Sequence, residues 1–381
     1  MPLERLRRCV IMRRLVLLCD GTWSKPESDT NVERLRRLIA AHDADGIRQQ
    51  VKYLPGVGVK PGIGHWLGGA FGWGFADTVK EGYRWLCDTW QTGDSLYLIG
   101  YSRGAYTARS LGGMIRKCGL WRRASGDAIG AMDVSTAYAF YRDVAIKPGD
   151  PAAVVFRAEH SHETDIRFMG VWETVGLLGI PDVAAWFPFA RARYHFHDTE
   201  LSRIVKCAYQ ALALDEHRAD FAPALWTRNP TTLPPGETCT MKKREQVEIE
   251  QRWFIGAHAD VGGGYAHDGA GRAPDPLPDL PLAWLQRKAM DCGLAFTAPF
   301  VPAADAWTGT PRNSYAEFLF GLYRLFSRPM NRVIGDAVNE TIDASVWQRW
   351  LADPGYRPPS LLQALAHARA GQAPQMPPGN G

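Results

Sequence analysis

The chain has 381 residues, 46% of them hydrophobic, enough to bury one large core or a core with a lobe attached. Lys and Arg number 44 against 40 Asp and Glu, and apart from the opening LERLRRCVIMRR the +4 charge is scattered, which excludes a nucleic-acid footprint. Seven cysteines, Cys9, Cys19, Cys87, Cys118, Cys207, Cys239 and Cys292, lack any C-x-x-C spacing, so a reduced compartment and no structural zinc are expected. Arg13 and Arg14 interrupt the first apolar stretch and Asp20 closes it too early for a secretory signal. No run approaches the roughly 20 apolar residues of a membrane span. The expectation is a chain made soluble in the cytoplasm, with residues 1–12 a basic, flexible lead.

Residues 15–19 form a continuous apolar run ended by Asp20-Gly21, as in a strand buried on both faces. Thr30 or Asn31 can cap a helix to about 40, with Val32, Leu35, Leu38 and Ile39 on one face. A second strand is predicted over 50–54, a glycine-rich loop with His65, Trp66, Phe71 and Trp73 over 56–74, and a helix over 75–90. A strand at 95–99 leads into a helix at 104–117. Residues 126–142 read as helix, 166–172 as a strand, 201–214 as helix, 252–255 as a fifth strand and 282–290 as helix. Between them stands an aromatic insertion over 176–200, with Trp186, Phe187, Phe189, Tyr194 and Phe196, and a Pro/Gly/Asp loop over 266–281. Tyr315, Phe318, Leu319, Leu322 and Phe326 recur at helical spacing within 313–334, which predicts a core-facing helix, a transient membrane-surface contact being the other use of such a stripe. The Pro/Gly-rich end, 366–381, is expected to be disordered. Alternating strands and helices predict a parallel sheet covered on both faces.

The segment SLYLIGYSRGAYTAR, 95–109, holds Gly100-Tyr101-Ser102-Arg103-Gly104 between a strand and a helix. A strand that reverses into a helix within so few residues strains the residue at the turn, and side chains two positions away on either side would clash. Gly100 and Gly104 remove that clash. Ser102 then stands at a helix N-terminus, where amide groups and the dipole favour a developing negative charge. It is the candidate nucleophile, against the plainer reading of a serine that caps a helix.

An activated serine needs a base and an acid that orients it, each just past a strand. Glu173 ends RFMGVW and His258 follows WFIG, which places both on the carboxyl edge of the sheet, where such sheets bind ligands. Asp260, Asp182, Asp215 and Glu216 are also available as orienting acids. Gly262, Gly263 and Gly264 let the main chain pass close to a reacting centre. The oxyanion would be held by the Arg103 amide together with that of Gly21 or Thr22, beside Asp20. LVLLCDGT lacks a phosphatase-type nucleophile because Leu18 occupies that position, and 56–69 lacks the spacing of a dinucleotide loop. His258, Asp260, His267 and Asp268 have the ligand types for a metal. No cofactor and no metal are expected.

DGTW at 20–23, TNVERL at 30–35, GYSRGAYTAR at 100–109, GVWETVG at 170–176, ALALDEHRADF at 211–221 and HADVGGGY at 258–265 form a series. In that order it resembles the bacterial and fungal α/β-hydrolase domain that includes the catalytic part of the first family of type VI secretion lipase effectors. The resemblance runs from about 13 to 265. It implies a Ser-Asp-His hydrolase acting on phospholipid or another carboxylic ester, its serine falling on Ser102 and its histidine on His258. The family has W-D-T-V where this chain has Trp172-Glu173-Thr174-Val175, so the acid must reach one methylene further. Asp343 stands where many relatives carry a later histidine.

The expected architecture is therefore one α/β-hydrolase-like doubly wound domain over 13–365, with insertions at 56–74 and 176–200 as lid or cap. The expected function is a serine esterase of phospholipase or lipase type, with Ser102, Glu173 and His258 as its triad. A catalytically silent binding module and a thioesterase or peptidase of the same fold are the alternatives. Signal-peptide-independent export, with an immunity or secretion partner that these residues do not specify, follows only from the resemblance.

Overall fold

The computed structural model describes residues 13–21, 28–56, 70–123, 127–175, 201–227, 248–264, 275–325 and 327–369. Its centre is a seven-stranded sheet built from β1 (Arg14–Cys19), β2 (Gln49–Leu54), β3 (Ser95–Tyr101), β6 (Ile166–Trp172), β7 (Val205–Ala213), β8 (Glu248–Phe254) and β9 (Glu340–Ile342). The strand order is β2-β1-β3-β6-β7-β8-β9 and every pairing is parallel. A separate antiparallel pair, β4 (Leu120–Trp121) with β5 (Ser161–His162), lies outside it. This is the α/β-hydrolase-like arrangement expected from the alternating elements.

Successive residues of the inner strands enter different cores, which is why their apolar runs are continuous. Leu15, Leu17, Leu96 and Leu98 pack with Val79 and Tyr83 of α2 (Ala70–Thr89) and Leu111 and Met114 of α3 (Arg103–Cys118). Val16, Leu18, Tyr97 and Ile99 pack with Val32 and Leu35 of α1 (Asn31–Leu38) and with Leu282, Leu285 and Ala289 of the helix Asp279–Asp291. A third cluster, with Leu212, Trp253, Val346 and Leu361, seats two C-terminal helices, Ala344–Ala352 and Pro359–Arg369, against the β8 end of the sheet. Thr30 caps α1, accepting from the Glu33 amide at 3.2 Å.

Several expectations are corrected. Residues 201–214 contain a strand rather than a helix: β7 lies between β6 and β8, with eight of its nine residues buried, so its side chains show no two-residue alternation. The stripe within 313–334 makes one helical turn, Ser314–Glu317, and then a 3₁₀ segment, Phe318–Leu325. Gly321 at φ 84° breaks the run and Pro329 prevents its resumption, leaving Leu322 and Leu325 on the surface. α2 begins at Ala70, inside the expected loop, and the helix expected from 126 begins at Ala131, after Gly130. β9 and the helices Pro151–His160 and Ala344–Ala352 were not anticipated. The tail is helical to Arg369. Most of the two insertions, the lead 1–12 and the tail beyond 369 lie outside the described residues.

Candidate active site

Between β3 and α3 there is one residue, Ser102, with φ 56° and ψ −120°. An L-residue adopts this strained conformation only where its surroundings enforce it. A Cβ on Gly100 would lie 2.5 Å from the Gly104 carbonyl oxygen, and one on Gly104 would lie 2.1 Å from that of Cys19. Both obstacles are backbone, so neither can move aside. The Ser102 amide donates to the Trp172 carbonyl at 3.0 Å, and its side chain caps no amide of α3. The hydroxyl points elsewhere.

It points at His258, whose Nε2 lies 2.8 Å from Ser102 Oγ. His258 opens the short helix His258–Gly262, and its backbone amide donates to Glu216 at 3.2 Å. Glu216 is itself held by Arg218 at 2.7 Å and by the Ser314 hydroxyl at 2.9 Å. The imidazole packs 5.0 Å from the Tyr101 ring and 5.2 Å from Phe221, edge-on. Gly262 permits this approach, since a Cβ there would fall 1.9 Å from the Tyr101 ring.

Glu173 follows β6 directly, at φ 45°, and its Oε2 lies 3.1 Å from His258 Nδ1. Its amide donates to the Ala211 carbonyl at 2.9 Å, while its Oε1 accepts from the Ala213 amide at 2.6 Å. Arg332 forks the same carboxylate, Nη1 to Oε1 at 3.2 Å and Nη2 to Oε2 at 3.0 Å. Four donors thus meet the four lone-pair positions of a carboxylate. The extra methylene of Glu over Asp is taken up by this clamp.

Burial, the largest influence on Glu173, favours its neutral form, but Arg332 and the hydrogen bond and charge of His258 outweigh it and hold the carboxyl below its ordinary range. Burial also lowers the affinity of His258 for a proton, and although the hydrogen bond and charge of Glu173 raise it, the balance lies below the usual histidine value. An ionised carboxylate only accepts, so Nδ1 carries the imidazole proton and Nε2 is left to accept from the serine hydroxyl. A serine, a base and an ionised acid within hydrogen-bonding reach can generate a nucleophilic alkoxide.

The other carboxylates of the described residues near these strand ends have different partners. Asp260 accepts from the Ala257 and Arg312 amides at 2.8 and 3.0 Å, and burial pushes its carboxyl up to about 7. Asp215 holds the Gly256 amide and the Tyr356 hydroxyl at 2.7 and 2.9 Å. Asp20 accepts from Thr30, Tyr53 and the Gly21 amide, each at 2.7 Å, tying the turn after β1 to the cap of α1. In this geometry the Gly21 amide therefore serves Asp20. Arg103 opens α3, and burial lowers its guanidinium to about 10. Asp343 caps the helix Ala344–Ala352, accepting from Ser345, and pairs with Arg252 at 3.3 Å. Thr22, Asp182, His267 and Asp268 lie outside the described residues, among which no group of three His, Cys, Asp or Glu could hold a metal ion.

Sequence reasoning missed Arg332, Glu216 as the holder of the His258 amide, and Phe221. The last two fall in ALALDEHRADF, 211–221, one of the motifs that carry the family resemblance. Arg332 gives no local signal.

Residues 13–288 match the family model described as T6SS, Phospholipase effector Tle1-like, catalytic domain. The chain belongs to this family. An uncharacterized protein of Saccharomyces cerevisiae is 26% identical, the match covering 57% of this chain and 33% of that protein. The Tle1 effector bound to the VgrG spike from the Type 6 secretion system is 16% identical at a TM-score of 0.40, over 68% of this chain and 52% of that one. An uncharacterized protein from Pseudomonas aeruginosa is also 16% identical, at 0.45, over 96% and 60%. The chain thus spans a third to three fifths of the length of these relatives. Among the described residues no helix is long and apolar enough to cross a membrane.

Proposed function

We propose that the protein is a serine hydrolase that cleaves carboxylic ester bonds, of phospholipase or lipase type, through Ser102, His258 and Glu173. The carrying observation is the 2.8 Å contact of Ser102 Oγ with His258 Nε2, made by a serine in a strained strand-to-helix turn. Membership of a family described as a phospholipase effector catalytic domain supports lipid as the substrate class.

In this mechanism His258 Nε2 takes the hydroxyl proton as Ser102 Oγ adds to the ester carbonyl. Glu173 holds the imidazole in the required tautomer and stabilises its cation. The tetrahedral oxyanion is met by the Arg103 amide at the start of α3, with a second donor from the turn at Gly21 or Thr22. For Gly21 to contribute, its amide must leave Asp20. His258 then protonates the departing alcohol, and a water activated by the same imidazole releases the acid from the acyl-serine.

The test is incubation of the wild type and Ser102→Ala with mixed phospholipids, reading released products by mass, alongside labelling by a fluorophosphonate. The expected result is free fatty acid from the wild type only and an adduct on Ser102. Ser102→Ala should lower kcat by about 10⁴ or more. Folded protein that takes no label and hydrolyses no ester would mark the fold as a silent binding module. Turnover of thioesters or peptides in preference to lipids would move the substrate class. Family membership also supports delivery as an effector without a signal peptide, and its persistence in the medium of cells lacking a secretion spike would refute that.

A further inference from the structure

The acid site holds a residue that no step above uses. Glu173 is wholly buried and Arg332 is 2% exposed. A buried carboxylate is ionised only if a countercharge or several donors compensate for the water it has lost. His258 cannot be that countercharge before reaction, because it is neutral as a base. Arg332 makes three hydrogen bonds here: two to Glu173, at 3.2 and 3.0 Å, and a third from Nη2 to the Phe221 carbonyl at 2.8 Å. The last bond also fixes Phe221, whose ring packs on the imidazole.

We infer that Arg332 is a positioning residue of the reaction, a bidentate clamp that keeps Glu173 ionised and aimed at His258 Nδ1. This rests on the proposed triad. The clamp arrives by a long loop, 159 residues after the acid it holds. Its segment is tied to the strand-end segment Glu216–Phe221 on which the imidazole leans. Met330 donates to the His217 carbonyl at 2.9 Å, and Pro329 bridges to Arg218. The charged groups that act on Glu173 are Arg332 and His258, and those on His258 are Glu173, Arg218 and Glu216. Two anions therefore face two cations when His258 is neutral. Removing Arg332 leaves an excess negative charge on the group that most needs neutralising.

A guanidinium can bind both carboxylate oxygens at fixed angles, whereas an ammonium meets them as a point charge. Arg332→Lys should lower kcat about tenfold and Arg332→Gln about a hundredfold, with KM within about twofold in both. In Arg332→Gln the acid limb of the kcat profile should move to higher pH, because without the guanidinium the hydrogen-bonded Glu173–His258 pair takes up a proton more readily. The decisive experiment is a double-mutant cycle with Glu173→Gln, which separates action through Glu173 from general damage to the fold. Once Glu173 is neutral, Arg332→Gln should lower kcat by less than about threefold. Costs that multiply in the double variant, or an acid limb that stays in place, would overturn the inference. If Arg332→Gln does not fold, Arg332→Lys decides: an unmoved limb refutes the clamp, and a lower kcat with KM unchanged and the limb moved to higher pH supports it. Ser102→Ala run in parallel keeps the two proposals apart. An active Ser102→Ala sinks the triad and the clamp with it, whereas an inert Ser102→Ala with multiplicative Arg332 costs sinks the clamp alone.

Discussion

Ser102 and Glu173 stand directly after neighbouring strands whose last residues, Tyr101 and Trp172, are paired, and both hold left-handed backbones, at φ 56° and 45°. Different forces keep them there. Around Ser102 the constraint is steric: Gly100, Gly104 and the Cys19 carbonyl are packed so closely that a single added carbon overlaps backbone. Around Glu173 it is electrostatic: a wholly buried carboxylate is surrounded by an amide, an imidazole and a guanidinium. The first region should tolerate changes of charge and fail on changes of volume. The second should do the reverse.

The sharpest test of that contrast is Glu173→Gln, which keeps the shape and removes the charge. A neutral amide cannot fix the Nδ1–H tautomer or stabilise an imidazolium, so kcat should fall by about 10³ to 10⁴ while the fold persists. Wild-type kcat, measured on the same ester, would pass the acid role to another carboxylate. The opposite change is Gly104→Ala, which adds one carbon and no charge. With backbone 2.1 Å from the new atom, the turn has to open, and urea denaturation should show a loss of about 3 kcal/mol. An unchanged midpoint would mean that the turn is looser than its contacts imply.

A smaller effect concerns pH. Burial keeps His258 neutral below the ordinary histidine value of 6.5, so its imidazole can accept a proton throughout the neutral range. The acid limb of kcat/KM should therefore lie below pH 6.5, with a flat profile from there to pH 8. The same depression bears on stability: the unfolded chain takes up this proton more readily than the native one, so the contribution is lost as pH falls below 6.5. A limb above 6.5 would show that Glu173 prevails over burial.

How much of this was readable depended on which force was at work. The steric turn leaves its mark in adjacent letters, because only glycine fits at 100 and 104, and so the turn at Ser102 and its flanking elements could be read directly. The strands at 15–19, 50–54 and 166–172 were equally legible, since a continuous apolar run ended by a turn has few other uses. β7 was not, because VKCAYQALA is buried on both sides and built largely from residues that also favour helices. The electrostatic pocket was half legible. Glu173 and His258 could be placed from the strand ends, but Arg332 reaches them through a loop with no regular period, and a lone arginine between Asn331 and Val333 looks like any surface cation. The stripe around Phe318 is ambiguous for a related reason: its spacing is helical, while Gly321 and Pro329 oppose a continuous helix.

The last effect extends the comparison to Asp260, a buried carboxylate on which the charge of Arg312 counts for less than burial. It accepts two backbone amides, through Oδ2, and has no arginine clamp like that of Glu173. Burial accordingly raises it to about 7, where the clamped glutamate is lowered. Because the native value exceeds the unfolded value of 3.8, the folded chain keeps a proton that the unfolded chain releases. Stability from this group is complete below about pH 4 and declines as pH rises towards 7. Asp260→Asn, neutral at every pH and able to keep an oxygen acceptor, should then match the wild type near pH 4 and exceed it by up to about 4 kcal/mol at pH 8. Urea melts at the two pH values measure the difference directly. A variant weaker than wild type at pH 8 would show that the charge on Asp260 is compensated after all, which would erase the distinction between a carboxylate that has a clamp and one that does not.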